Sequence, residues 1–523
     1  MITRGENRRQ RRWWLPGVGV VLWLTIFLTL NLSQWRYALI NVDGDSCLHW
    51  RMGDWMIRHR AIIRSDPFSH TRWGAPVIAM EWLSQVLYAA AGNALGWNGI
   101  VLLAAALITT SLWLLYQLLL AEGNNALLSL VLVLLAAWGT SLHWLARPHL
   151  WTLVLIVIFL WQLRAFDCGR VSAKRLFMVL PPLSAVWANL HGGFFGGLVL
   201  IAAFWIGSAV AALRGRDADR IQEYSKMRAL TLLGGACLLA TFLNPNGWKL
   251  HAYILSILRH HEVVALSSEF RSPDFHGFWM RGFLAQALVF GLLLIIARPR
   301  LRPSDVVVTS IWGCASLYSV RHASILALVL TPILAEHWTA SIHTAPEGVF
   351  PRLGRRLSEA VGQWDAIADG RALAVGCVAM LVASAARPQW FGGSPIVTAG
   401  ILPNCFPVAA VEFLHAHPDA IRGEMFNDRR WGGYLVLAAP EWRVFMDGRT
   451  DFYGGNLIKD FRTVDKAEPQ WEGVFRVHHI GWTILPRDHA LNTLLGLRAD
   501  WRLAYADRVA AVYTRQEIAH GGP

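Results

Sequence analysis

Residues 15–33 read Leu-Pro-Gly-Val-Gly-Val-Val-Leu-Trp-Leu-Thr-Ile-Phe-Leu-Thr-Leu-Asn-Leu-Ser, and residues 41–51 follow as Asn-Val-Asp-Gly-Asp-Ser-Cys-Leu-His-Trp-Arg. The first run is long and apolar enough to cross a bilayer, which takes about 20 residues, or roughly 17 with flanking anchors. It stands behind Arg4, Arg8, Arg9, Arg11 and Arg12, and no small-residue cleavage site follows it. It therefore reads as an uncleaved signal anchor with its N-terminus inside. The second stretch sets Asp43 and Asp45 two residues apart beside hydrocarbon, a costly placement unless the carboxylates serve a site. Capping of the next helix by Asp45 or Ser46 would explain one of these residues but not both carboxylates.

The rest of the chain has the same texture. Of 523 residues, 54% are hydrophobic and 16% charged, against roughly a quarter charged in soluble domains. The net charge of +13 would ordinarily suggest nucleic acid. Most of the excess, however, falls in loops assigned below to the inner face, so no nucleic-acid partner is expected. Six cysteines scattered over this length make neither a disulfide framework nor a zinc spacing. Only Cys47 and Cys405 fall outside the membrane on the outer side, and nothing in the sequence pairs them.

Ten further apolar runs read as spans: 98–120, 126–142, 150–163, 176–190, 194–213, 229–243, 282–297, 305–320, 322–338 and 372–388. The segment 80–96 opens with Glu81 and is broken by Gly92, Asn93 and Gly96. Counting it as a span would turn Arg164, Arg170, Lys174 and Arg175 outward, against the positive-inside rule, so it reads as an interfacial helix. The expected architecture is a polytopic α-helical membrane region of about 11 spans over 1–388. Its first outer loop, 34–97, carries interfacial helices, one of them amphipathic through Leu48, Met52, Trp55 and Met56. From 389 to 523 charges become frequent and long apolar runs stop, which suggests a small α/β domain on the outer side. There, 407–416, 456–478 and 488–498 read as helices and 423–427, 442–446 and 480–485 as strands. Residues 501–505 and 509–513 read as a hairpin.

This topology gathers the polar groups that are not orientation signals on one face. Arg147 and His149, Arg271, and Arg321 with His322 are candidate phosphate partners, since an arginine fork suits phosphate; snorkelling at a helix end is the alternative for Arg147 and Arg321. His49, Asp66, Glu81, His191, Glu269, Asp447 and Arg449 are candidates for substrate contact or support. Glu81 also suits a helix first turn, and Asp447 with Arg449 suits a structural pair closing a loop. Asn244-Pro245-Asn246-Gly247 reads first as a turn.

Several of these segments resemble the bacterial GT-C superfamily of membrane glycosyltransferases, which includes oligosaccharyltransferases, protein mannosyltransferases and lipid A aminoarabinose transferases. The resemblance rests on Asp43-Gly44-Asp45, His49, Gly53, Asp66-Pro67-Phe68-Ser69 and Glu81-Trp82-Leu83 after a first span. It continues through Trp187-Ala188-Asn189-Leu190-His191-Gly192-Gly193, Leu243 to Gly247, Glu269 to Pro273, Phe426 to Asp428, Trp431 to Tyr434 and Asp447-Gly448-Arg449. It implies a sugar donor carried on a polyprenyl phosphate, an acceptor (glycan, lipid or protein) met on the periplasmic side of the bacterial inner membrane, and inversion by direct displacement. It also implies that Asp43 or Asp45 activates the acceptor or binds a metal. Carboxylates with phosphate oxygens would suit Mg²⁺ or Mn²⁺. Two other readings stay open: a non-catalytic assembly or scaffold protein of envelope polysaccharide synthesis with this fold, and a transporter, although no paired internal repeat is visible.

Overall fold

The computed structural model describes residues 12–257, 268–344 and 349–516. Arg4, Arg8, Arg9 and Arg11 of the basic start lie outside the described residues. The chain is mostly helical. Each of the eleven expected spans coincides with helix. Six helices are long and apolar enough to cross a membrane: Trp97–Ala121, Ala126–His143, His149–Asp167, Gly192–Arg214, Phe278–Ile296 and Val320–Ile342. A seventh span forms if Val18–Leu32 and Trp35–Asn41, bent by 67° at their junction, are counted as one. The other four segments fall in Ala173–Leu190, Asp217–Ala240, Pro303–Tyr318 and Arg371–Ala386, which are shorter or carry more charge. The helix Val349–Ile367, which the apolar-run reading passes over, follows the last of the six.

The bend after Leu32 turns the chain so that Asp43 is delivered at the end of the bundle. The helix Asp45–His59 begins there and packs against Trp82–Leu95. Neither Asp45 nor Ser46 caps it; Asp43 Oδ1 accepts from the Asp45 N–H at 3.0 Å, while the Ser46 hydroxyl donates to the Ala146 carbonyl at 3.2 Å. The helix is amphipathic as expected, but protein covers its apolar face: Leu48, Met52 and Met56 share a core with Phe406, Trp431 and Tyr434.

The C-terminal portion carries a four-stranded sheet in the order β3-β4-β6-β5, with β3 Glu424–Asn427, β4 Ile480–Pro486, β5 Trp501–Ala506 and β6 Ala510–Arg515. The β3–β4 pair is parallel, and β4–β6 and β6–β5 are antiparallel. A two-stranded parallel pair, β1 Arg12–Pro16 with β2 Ala368–Asp369, lies elsewhere. Two local expectations change. Residues 442–446 do not join the sheet, because the Asn427 side chain accepts from Phe445 N (2.8 Å) and donates to Met446 O (2.9 Å) in place of a ladder. Residues 456–478 form two helices, Thr450–Asp465 and Trp471–Val477, separated at Ala467 (φ 52°) ahead of Glu468-Pro469, where proline disfavours helix in the residue before it.

This portion is built against the first outer loop. His70 N donates to Val444 O and Val444 N to Phe68 O, each at 3.1 Å. The helix Arg429–Ala438 lies across Asp45–His59 so closely that a Cβ on Gly44 would stand 2.8 Å from the Arg430 carbonyl and 2.9 Å from the Tyr434 nitrogen. Gly44 N–H donates to that same carbonyl at 3.0 Å, so only glycine fits there.

At the opposite end of the bundle, Arg164, 1% exposed, bonds Glu122 (3.0 and 3.1 Å), Asp305 (2.8 Å) and Glu336 (2.8 Å). Arg302 bonds Asp305 (2.9 Å) and Glu336 (2.6 Å), and Arg170 bonds Glu122 (2.8 Å). Three cations face three carboxylates, so the buried charge is balanced. Arg164 and Arg170, expected only as orientation signals, thus tie four helices together.

Candidate functional site

At the end of the bundle where the first outer loop lies, Arg147 is the hub. It sits between two spans, in a segment fixed by Ala146 N donating to Leu39 O (2.8 Å) and Tyr88 Oη donating to Arg147 O (3.1 Å). Its guanidinium contacts Asp43 directly, Glu269 at 2.8 Å and Asp45 at 3.2 Å. One cation thus serves three carboxylates. Glu269 is brought in by the turn Ser268–Phe270, whose backbone is held by the Ser319 hydroxyl to Glu269 O (2.9 Å) and Val320 N to Arg271 O (2.9 Å).

The three carboxylates differ in character. Burial pushes Glu269 up, but Arg147 and Arg321 overcome it and hold its pKa at about 2. Burial, reinforced by Glu269 and Asp447, pushes Asp45 up to about 7, although it lies beside Arg147. Asp43 accepts from Arg147 and from the Asp45 N–H. Of Asp45 and Glu269, Asp45 is the one placed to exchange a proton near neutral pH.

Glu81 lies beside this group, 3.5 Å from His191 Nε2 and 3.9 Å from His49 Nδ1. Burial raises it to about 8, partly offset by Arg321, and burial lowers His49 to about 4. The orientation of His191 is fixed. Its Nδ1 accepts from Gly193 N–H (3.0 Å) and faces Thr152 Oγ1 (2.8 Å), which itself accepts from Trp187 Nε1 (3.0 Å). The ring proton must then lie on Nε2, toward Glu81. His149 directs Nε2 at the His143 carbonyl (2.6 Å), so when neutral it has no N–H left for a phosphate.

Arg321 has no ion pair within 4.0 Å among the described residues; its guanidinium lies 5.4 Å from the Phe270 ring. His322 Nδ1 is buried without a hydrogen-bond partner among the described residues, and Arg271 is exposed with its carbonyl tied to Val320. Beside Glu81 opens an apolar cleft of about 630 Å³ lined by Trp82, Leu83, Val186, Asn189, Phe242 and Leu243 among others. The turn expected at Asn244–Gly247 forms, with Asn246 N donating to Asn244 Oδ1 (2.8 Å), and borders this cleft.

Asp66, Asp447 and Arg449 form a separate clamp. Arg449 forks onto Asp447 (2.9 and 2.5 Å) and reaches Asp66 at 2.8 Å, while Asp66 Oδ2 accepts from Ser69 N (3.0 Å) and Ser69 Oγ (2.6 Å). The clamp sets Gly448 against Asp45: a Cβ there would stand 3.0 Å from Asp45 Cγ and nearer still to Oδ1. The C-terminal portion thus supplies a wall of the site. It also supplies Arg429, whose charge acts on both Asp45 and Arg147 and which the motif reading passed over. Among the described residues no group of three or more His, Cys, Asp or Glu side chains converges as a metal site. Arg147 is the cation that stands between Asp43 and Asp45, the two carboxylates expected to take Mg²⁺ or Mn²⁺. All six cysteines are free thiols.

The fold and the helix set define the class: a multi-pass membrane protein. The chain matches the archaeal oligosaccharyltransferase AglB of Archaeoglobus fulgidus, solved with an inhibitory peptide and a dolichol-phosphate, at a TM-score of 0.56 and 12% identity over 90% of this chain and 69% of that one. The apo oligosaccharyltransferase of the same organism matches at 0.54 and 12% over 90% and 70%. ArnT of Cupriavidus metallidurans, solved with undecaprenyl phosphate, matches at 0.46 and 14% over 96% and 99%. The fold of this chain is shared with the two oligosaccharyltransferase structures. No protein-family model and no curated protein sequence matches the chain.

Proposed function

We propose that this chain is an inverting membrane glycosyltransferase that moves a sugar from a polyprenyl-phosphate-linked donor to an acceptor on the outer face of the bacterial inner membrane. The observation that carries the reading is the joining, at one end of the bundle, of a carboxylate with a near-neutral pKa, a cation without an ion pair among the described residues and an apolar cleft. The dolichol-phosphate held by the structurally similar oligosaccharyltransferase supports a donor of that kind. The reading includes eleven spans over 1–388, a cytoplasmic N-terminus and a periplasmic domain over 389–523. It leaves the sugar and the acceptor open.

In this scheme Asp45 takes the acceptor hydroxyl proton as the acceptor oxygen attacks the anomeric carbon, and the bond to the donor phosphate breaks. Asp43 and Glu269 hold Arg147, which keeps Asp45 in place. Arg321 receives the departing phosphate, whose charge grows as the bond breaks. The cleft beside Glu81 accommodates the first part of the prenyl chain, and Glu81 with His191 and His49 forms a neutral floor. Asp43→Asn and Asp45→Asn, inserted and purified as the parent is, are expected to lower transfer sharply, by roughly 10²–10⁴-fold for the base. Full activity in both variants would contradict the mechanism.

A further inference from the structure

A second cavity, of about 550 Å³, lies between the first outer loop and the C-terminal sheet, within the roughly 300–1,000 Å³ of small-ligand clefts. Trp73, Glu424, Glu441, Trp442 and Arg443 line it. Trp73 is 54% exposed, and Arg443 stacks on one of its faces, with its guanidinium carbon 3.3 Å from the ring centre. Trp442 is backed by His415, stacked 5.6 Å away, and meets the edge of Trp482 at 6.0 Å. Glu441 is held by His415 Nε2 at 2.7 Å, and the Glu424 carboxylate lies 4.0 Å from His70; both glutamates are about two-fifths exposed.

Aromatic plates fixed from behind, flanked by oriented carboxylates, have the chemistry of sugar recognition. The axial C–H groups of a pyranose meet the negative face of an indole, and carboxylates accept from paired hydroxyls. An extended peptide is less well served. The flank of β3 facing the cavity is closed to strand addition, since His70 Nε2 already bonds Met425 O (2.9 Å) and Asn427 bonds the neighbouring segment. Two glutamates against one arginine, itself stacked on Trp73, disfavour an acidic sugar. Arg443 is five residues from Gly448, which walls Asp45, so the chain separates them by at most about 18 Å. We propose that this cavity is a saccharide-binding subsite for neutral or amino-sugar units of the glycan that enters the reaction. This rests on the transfer reading above and adds a remote subsite to it.

The test is saturation-transfer-difference NMR on the detergent-purified full chain, in a detergent without a sugar headgroup, titrated with cellotetraose, a chitosan tetramer and tetragalacturonate. Saturable binding of at least one of the first two and none of the third is expected. Trp73→Ala and Glu441→Gln should weaken that binding about tenfold, with Trp73→Phe retaining most of it. Thermal melting of each variant checks that it folds. Absence of binding by both neutral and amino-sugar oligomers, equal binding by Trp73→Ala, or preference for a proline-rich peptide probe over every saccharide would overturn the proposal. Asp45→Asn should bind the saccharide as the parent does, so loss of the transfer reading and loss of this subsite are read separately.

Discussion

Replacing Gly448 by alanine puts a methyl group where Asp45 now has its carboxylate. The added carbon would stand 3.0 Å from Asp45 Cγ, while carbon atoms settle at about 3.5–4.0 Å. It lies nearer still to Oδ1, so relief requires the carboxylate or the Asp447–Arg449 segment to shift by about 1 Å. The Arg449 fork onto Asp447 and Asp66 resists movement of the segment, leaving Asp45 to turn off its rotamer at a cost of about 0.5–1.5 kcal/mol. Gly448 has no positive φ, so backbone strain adds nothing. A displacement of this size in a reacting group lowers rates by up to about 10²-fold. Transfer by Gly448→Ala, measured as consumption of lipid-linked sugar by the purified protein, should therefore fall by roughly one to two orders of magnitude. Its melting temperature should drop only a few degrees. Parent-like turnover in Gly448→Ala would refute the claim that the C-terminal portion shapes the site.

Asp45, raised to about 7, must be ionised to accept a proton, so kcat/KM should rise with pH through about 7, and Glu269, held at about 2, should not titrate in that window. Because the folded state binds this proton more tightly than the unfolded one, Asp45 contributes stability that is present below about pH 4 and lost as pH rises toward 7. Asp45→Asn should abolish the limb near pH 7, and an unchanged limb would assign it to another group. Arg321→Gln should reduce transfer while leaving the melting temperature near that of the parent, since Arg321 has no ion pair within 4.0 Å among the described residues; unaltered kinetics would remove it from the phosphate site. Arg164→Met leaves only Arg170 and Arg302 against Glu122, Asp305 and Glu336, one negative charge uncompensated in the bundle, and should destabilise the protein by about 3–5 kcal/mol, read by thermal melting; an unchanged melt would show the network to be dispensable.

The chain's loops point to which residues share one face, because charges are costly beside apolar runs and must have a reason. Asp43, Asp45, Glu81, Arg147, His191, Glu269 and Arg321 all lie at one end of the bundle, as their place between spans implied. Their partners were not legible. Arg147 reads as a phosphate ligand because arginine suits phosphate, but its three carboxylates come from two distant segments, around residues 43–45 and at 269, and leave no local signature. Arg164 lay inside a basic loop pattern, while Glu336, one of its partners, is 172 residues away. Asp66 was visible as the start of a turn, yet its bond to Arg449 depends on the C-terminal portion folding onto the first outer loop. The strand expected at 442–446 had the right apolar residues; only the Asn427 side chain, which replaces its ladder, decided against it.

Mass spectrometry of membrane lipids from a strain lacking this protein reads the transfer reaction itself. A polyprenyl-phosphate-linked sugar or an unmodified acceptor should accumulate, reversed by the parent chain and not by Asp45→Asn. A lipid profile unchanged by the deletion, or full reversal by Asp45→Asn, would contradict that reaction.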